Sequence, residues 1–242
     1  MHHVVLERWS RGGSAFHRRD PRAKIAALLV FLVVVATAHR ALPALGAALF
    51  LLLSGALLWA RIPFWGVLAR AALVLPFTLA FAGACWLAGD SARGVALMLR
   101  SYLSALAVLL VVFTTPLPVL LRGFELLGVP RFPLMVAQFL YRYLFVISEE
   151  AQHMARAAAS RGATAGGIAA VPRFRAAAGA LATLFARSYG RAEEIHRAML
   201  ARGFPGHFRT LGALHFRGGD AAFLALAALA PVLARAAVER LV

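Results

Sequence analysis

The sequence predicts an all-α integral membrane protein with about five transmembrane helices and an α-helical coupling region built on two long amphipathic helices. Three observations predict it. The 242-residue chain is 62% hydrophobic, whereas a soluble domain is about 45–50% apolar, and a core of this length cannot hide that excess. The apolar residues are gathered into runs. The formal charge of +16 is gathered outside them, as in membrane proteins that collect arginine in their cytoplasmic segments.

Met1–Lys24 is a basic arm carrying Arg8, Arg11, Arg18, Arg19, Arg22 and Lys24. Ile25 to Ala60 is almost uninterrupted apolar sequence. A single helix of that length would reach about 54 Å, too long for a ~30 Å hydrocarbon core. The break is His39-Arg40-Ala41-Leu42-Pro43, which gives two spans, Ile25–Ala38 and Ala44–Ala60. Arg61-Ile62-Pro63 ends the second. A loop over 61–70 leads through Trp65 and Arg70 to a third span, Ala71–Gly89. After the turn Asp90–Arg93 comes the fourth, Val95–Thr115, with Arg100 snorkelling from its first turns. Pro116 and Pro118 close it.

Residues 117–219 change character and hold thirteen of the 26 basic residues. The most apolar window there, Phe132–Ile147, has Arg142 near its middle, at a cost of about 2.5–3.5 kcal/mol on insertion scales. It is placed at the membrane boundary or against protein. Asp220–Val238 is apolar again, with Pro231 and Arg235, and forms a weaker fifth span. The organisation is therefore 1–24 cytoplasmic arm, 25–116 transmembrane helices 1–4, 117–219 cytoplasmic coupling helices, and 220–242 C-terminal transmembrane helix. The positive-inside rule puts the N-terminus in the cytoplasm of a multi-pass protein of the bacterial inner membrane. Arg235 and Arg240 fit that alternation less well.

Within 117–219, Phe174, Leu181, Ser188 and Ile195 recur every seven residues, and Ala178, Phe185, Ala192 and Met199 do so four residues later. This is the packing stripe of an amphipathic helix. Ala137 to Ser160 repeats the pattern more weakly, with Ala137, Leu144, Ala151 and Ala158 on one row and Tyr141, Ser148 and Ala155 on the next. Gly162 to Pro172 links the two helices.

Both helices end alike. Arg156-Ala157-Ala158-Ala159-Ser160-Arg161-Gly162 and Arg197-Ala198-Met199-Leu200-Ala201-Arg202-Gly203 share R-A-x-x-[SA]-R-G, 41 residues apart. Glu149 and Glu150 precede the first, Glu193 and Glu194 the second. Taken singly, each ending is a common C-cap with arginine set against the helix dipole. Taken together, they suggest two equivalent docking ends for two equivalent partner surfaces.

The sequence excludes several other functions. A lone Cys85 allows no disulfide within the chain. None of the eight histidines forms a metal-binding helical pair; His2 and His3 read as an exposed arm, and His207 and His215 as surface or headgroup contacts. The glutamate pairs beside arginines read as ion pairs rather than catalytic carboxylates. Asp90 and Asp220 lie at span ends and suggest no ion path. A nucleic-acid-binding module has no place for the apolar runs and shows no aromatic–basic interleaving. A conventional permease with its own substrate site, or a membrane enzyme processing lipid headgroups, remains the alternative. The first would favour polar or broken mid-membrane helices, and the second needs convergent acids or a metal-ligand set.

Asp20-Pro21-Arg22-Ala23-Lys24 before the first span, Tyr141-Arg142-Tyr143 after a Val-Pro-Arg turn, and the two Arg-Gly endings carry a resemblance. Over essentially its whole length the chain resembles the transmembrane T component of energy-coupling factor (ECF) transporters of the CbiQ/EcfT type. The resemblance implies a non-catalytic subunit with no cofactor or metal of its own. It implies two ATP-binding cassette ATPase subunits that carry the ATP, and a small CbiM-like substrate-binding membrane subunit, all in a lipid bilayer. The docking residues it implies are Ser160, Arg161 and Gly162, then Ala201, Arg202 and Gly203. The family's usual motif is Ala-Arg-Gly, so Ser160 is a mild departure. Cobalt is the substrate implied first, nickel second. No G-x-x-x-x-G-K-[ST] sequence is present, consistent with ATP on another chain.

Overall fold

The fold is given by a computed structural model that describes residues 9–10, 12–38, 42–162, 170–206 and 216–241. Among these residues it is helical, with no strand. The chain divides into two compact units, 1–129 with 212–242, and 130–211.

The first unit contains α1 (Pro21–Thr37), α2 (Leu42–Ala60), α3 (Phe64–Ala71), α4 (Leu75–Leu87), α5 (Ser91–Thr114), α6 (Leu117–Leu126) and α9 (Gly218–Leu241). Helix α5 is its centre and packs against α1, α2, α3 and α4, while α9 packs against α1 and α2. The buried side of α2 is Leu45, Leu49, Leu53 and Leu57, one residue per turn, and it meets Leu103, Leu106, Leu110 and Phe113 of α5. A Cβ at Gly46 would come 2.2 Å from Leu99 Cδ2, so glycine lets α2 and α5 approach closely.

Among the described residues, four stretches are long and apolar enough to cross a membrane: Pro43–Ala60, Phe64–Leu87, Ser91–Thr114 and Gly218–Arg240. At most 33% of any of these stretches is buried within the chain. The outward faces carry Leu51, Leu58, Leu73, Phe77, Phe81 and Trp86, which only lipid or protein can cover favourably. Of the five expected spans, the last four fall on these stretches. The first falls on α1, a 17-residue helix opened by Arg22 and Lys24, below the usual ~20 apolar residues.

The third span differs from expectation in its start. Residues 64–70, expected in a loop, are helical, and the helix runs on to Leu87 through a 3-10 turn at Ala72–Val74. Pro76 explains the turn. It lacks an N–H, and its ring clashes with the carbonyl four residues earlier, so the chain tightens there rather than stopping. Arg61, with φ of 55°, makes the sharp corner between α2 and α3.

The expected coupling region begins at 117, but helix 117–126 packs on α1 within the first unit, and the second unit starts at Pro130. That unit is α7 (Arg131–Ser160) and α8 (Ala170–Ala201), packed on each other. The expected rows of α7 are half-buried at Ala137, Tyr141, Ser148, Ala151 and Ala158, but Leu144 and Ala155 are exposed. On α8 the stripe splits. Ser188, Ile195 and Met199 are half-buried beside α7, whereas Phe174, Leu181 and Phe185 stand open.

Candidate functional site

The two sequence-matched endings fold into matching caps. At the end of α7, Arg161 has φ −88° and ψ 10°, and Gly162 follows at φ 81°. The Gly162 N–H donates to the Ala159 carbonyl at 3.0 Å. At the end of α8, Gly203 has φ 67°, and its N–H donates to the Leu200 carbonyl at 3.0 Å. Phe204 N–H then donates to Met199 O at 3.0 Å, which completes the paired bonds of a Schellman ending. In both caps the glycine holds the left-handed position and the arginine comes immediately before it.

A third helix separates the two roles. Helix α6 ends at Leu127-Gly128, with Gly128 at φ 93°. Its N–H donates to Glu125 O at 3.1 Å, and Val129 N–H donates to Phe124 O at 3.1 Å. The cap geometry therefore needs the glycine, while leucine serves in front of it as well as arginine does. The arginines of α7 and α8 are the part that capping leaves unexplained beyond a favourable dipole contact.

Both arginines are exposed, and among the described residues neither makes an ion pair or a side-chain hydrogen bond. Three of the four nearby glutamates face other partners. Glu150 accepts from Arg187 at 2.5 Å and ties α7 to α8. Glu193 pairs with Arg197 at 3.2 Å, and Glu149 lies 3.8 Å from His153. Ser160 Oγ donates to Ala157 O at 2.9 Å, so the hydroxyl that replaces the usual alanine is spent on its own helix. Among the described residues no hydrogen bond or ion pair joins the two tips. Each tip thus offers one unspent guanidinium on a narrow turn, suited to a bidentate bond with a carboxylate on another surface.

Sequence reasoning missed a second polar feature, at the start of α1. Asp20 caps that helix: its Oδ1 accepts from Arg22 N–H at 2.8 Å, and Pro21 fills the first helical position. Lys24, assigned from sequence to the basic arm, is 1% exposed. Its Nζ donates to His17 O at 3.2 Å, Thr114 O at 3.0 Å and Thr115 Oγ1 at 2.9 Å. Thr114 is the last residue of α5, where carbonyls lack helical partners, and Pro116 forces Thr115 into an extended conformation. Asp220, at the start of α9, accepts from Asp20 N–H at 3.2 Å and from Arg217 N–H at 3.0 Å. One polar knot therefore joins the beginnings of α1 and α9 to the end of α5. At the other end of the α1–α5 pair, Arg100 donates to the Ala38 carbonyl. It is engaged there instead of snorkelling, about two and a half turns into α5. The available signal was composition: Lys24 is the sole lysine beside 25 arginines, and only a compact ammonium fits three oxygens converging on one point.

Among the described residues no group of three histidine, cysteine or acidic side chains could hold a metal. His2, His3, His207 and His215 lie outside the described residues.

Known proteins match along most of this framework. The CbiQ family, described as "Cobalt transport protein", matches residues 12–211. The energy-coupling factor transporter transmembrane protein EcfT of Acidaminococcus fermentans is 31% identical over 226 residues, covering 84% of each chain. EcfT of Bacillus selenitireducens is 27% identical over 228 residues, again covering 84% of each. With its apolar helices, its buried knot at Asp20-Pro21-Arg22-Ala23-Lys24 and its paired arginine tips, the chain belongs to the CbiQ/EcfT family of ECF transporter transmembrane components.

Proposed function

We propose that this chain couples ATP hydrolysis on two partner ATPase subunits to a separate, small substrate-binding membrane subunit, and that Arg161 and Arg202 are its two docking points. The observation that carries the reading is the pairing of two like caps, each presenting an exposed arginine with no partner among the described residues. Two equal tips suit two equal receiving surfaces, such as the halves of an ATPase dimer. Each arginine would enter an acidic groove, and the glycine behind it keeps the tip narrow. The α7–α8 pair, tied by Glu150 and Arg187, would pass the displacement on as one body. This chain contributes no catalytic residue, and ATP belongs to the partners.

Cobalt is the substrate proposed first, supported by the description of the matching family, and nickel second. Substrate choice rests on the partner subunit. The chain sits in the cell membrane with its N-terminus and both tips on the cytoplasmic side, a reading supported by the arginine distribution.

Purification of the tagged chain from its native host, followed by intact-mass analysis, tests the reading. The expected result is a complex with two ATPase chains and one further membrane subunit. A chain that purifies alone and transports substrate alone would replace this reading with the conventional permease.

A further inference from the structure

Two clefts of the first unit meet at Arg19 and Gly219. The polar one, about 620 Å³, is lined by Arg18, Arg19 and Arg217 with Asp20 and Asp220. Its neighbour, about 370 Å³, follows α2 and α9 past Gly55, Trp59, Phe223 and Leu226, and shares Arg19 and Gly219 with the first. A charged recess thus opens directly onto an apolar groove.

The charges in the recess are unequally spent. Asp220 accepts two backbone N–H groups and lies 3.8 Å from Arg19. Asp20 caps α1. The His17 ring is held between Ser14 Oγ at 2.6 Å and Trp9 O at 3.0 Å. Arg18 and Arg217 are exposed, and their guanidiniums have no hydrogen bond or ion pair among the described residues. Three guanidiniums face two carboxylates, Asp220 with both oxygens engaged and Asp20 with Oδ1 engaged and Oδ2 buried without a hydrogen-bond partner among the described residues, so by charge count the recess retains a positive surplus. It lies where α9 begins, at the edge of the membrane-crossing stretch Gly218–Arg240. That is the depth of lipid headgroups.

We propose that this composite cleft holds one phospholipid of the surrounding bilayer. Its phosphodiester meets Arg18, Arg19 and Arg217, and one acyl chain runs along Trp59, Phe223 and Leu226. Arginine suits the first role because its planar donors match phosphate oxygens. The apolar groove supplies the second. A free phosphate would fill only the polar half and leave the adjoining groove without a purpose. An uncharged headgroup alcohol such as glycerol, which leaves the lipid with the net negative charge of its phosphodiester, is favoured over choline, whose fixed positive charge would sit beside the arginines. The assignment is independent of the docking role of Arg161 and Arg202.

Two variants address the two halves separately. R18Q/R217Q removes the free guanidiniums. Gly55→Leu fills the groove, and nothing lies within 4 Å of a Cβ at that position. The full chain in mild detergent is given phosphatidylglycerol, phosphatidylcholine or inorganic phosphate, and bound mass is read by native mass spectrometry. The expected result is one phosphatidylglycerol per chain, retained over phosphatidylcholine and not displaced by inorganic phosphate. Each variant should lower its occupancy about tenfold, the loss of one or two charge-assisted contacts or of the tail groove, with gel-filtration behaviour unchanged. If one variant fails to fold, the other decides. No retained lipid, retention indifferent to the variants, or displacement by inorganic phosphate with no effect of G55L would overturn the proposal.

Discussion

Replacing Lys24 with methionine should destabilise the protein far more than removal of any surface arginine. The side chain is almost isosteric, so packing around Phe16 and α5 is kept while three hydrogen bonds are lost, at 2.9, 3.0 and 3.2 Å. Hydrogen bonds to a charged group are each worth about 1.5–3 kcal/mol net. Against that, burying the ammonium carries its own desolvation cost, which the variant recovers. What is not recovered is the Thr114 carbonyl, 0% exposed and left without its cationic cap, at about 1–3 kcal/mol. The carboxylates of Asp20 and Asp220 also lose the attraction of the buried ammonium. The balance is a loss of about 2–4 kcal/mol, which for a chain of this size lowers Tm by roughly 5–15 °C. Thermal unfolding of the purified chain in detergent, followed by tryptophan fluorescence, measures it. K24M melting within 2 °C of the parent would refute the reasoning, since the three acceptors would then not depend on the ammonium.

Other positions give smaller and distinguishable effects. Arg61→Gly should raise stability by about 1 kcal/mol, because Arg61 occupies the left-handed region at φ 55° where only glycine is unstrained; no gain in Tm would contradict the corner geometry. Pro76→Ala should restore a regular helix through Ala72–Val74, removing the clash that tightens it; a structure of the variant that still shows the 3-10 turn would contradict this cause. Glu150→Gln should cost at most about 1 kcal/mol, since the Arg187 partner is largely exposed. The charge-swapped pair E150R/R187E should return most of that loss, and a swap worse than the single variant would argue that the two helices are not joined there.

The fold was legible where hydrophobic runs and breakers coincide. Helices over 44–60, 95–115 and 220–238 follow from apolar length and are found with small shifts; the fourth begins earlier than expected, at Ser91, because Asp90 accepts the Arg93 N–H and caps the helix where a turn was expected. The third span was misjudged at its start because Trp65 and Arg70 look like interface residues. In the structure Arg70 stacks on the Trp9 ring at 4.3 Å and is part of the packing. The two arginine-glycine tips were legible as a repeat, since capping glycines and repeated arginines are local signals. The knot around Lys24 was not, because it joins residues 20, 24, 114 and 220, and no local periodicity reports a contact across 200 positions. The exposed half of the α8 stripe, Phe174 to Phe185, shows a further limit: an apolar period marks a surface that packs, without saying on what.

The central claim is that Arg161 and Arg202 dock the two ATPase subunits. The most direct measurement is the affinity of the purified ATPase pair for the detergent-solubilised chain carrying R161E and R202E, singly and together. Each single reversal should weaken binding by at least about tenfold, as expected for a buried, bidentate arginine–carboxylate contact. The double variant should abolish it, while the melting temperature stays at the parent value because neither arginine has a partner among the described residues. Undiminished binding by the double variant would contradict the claim.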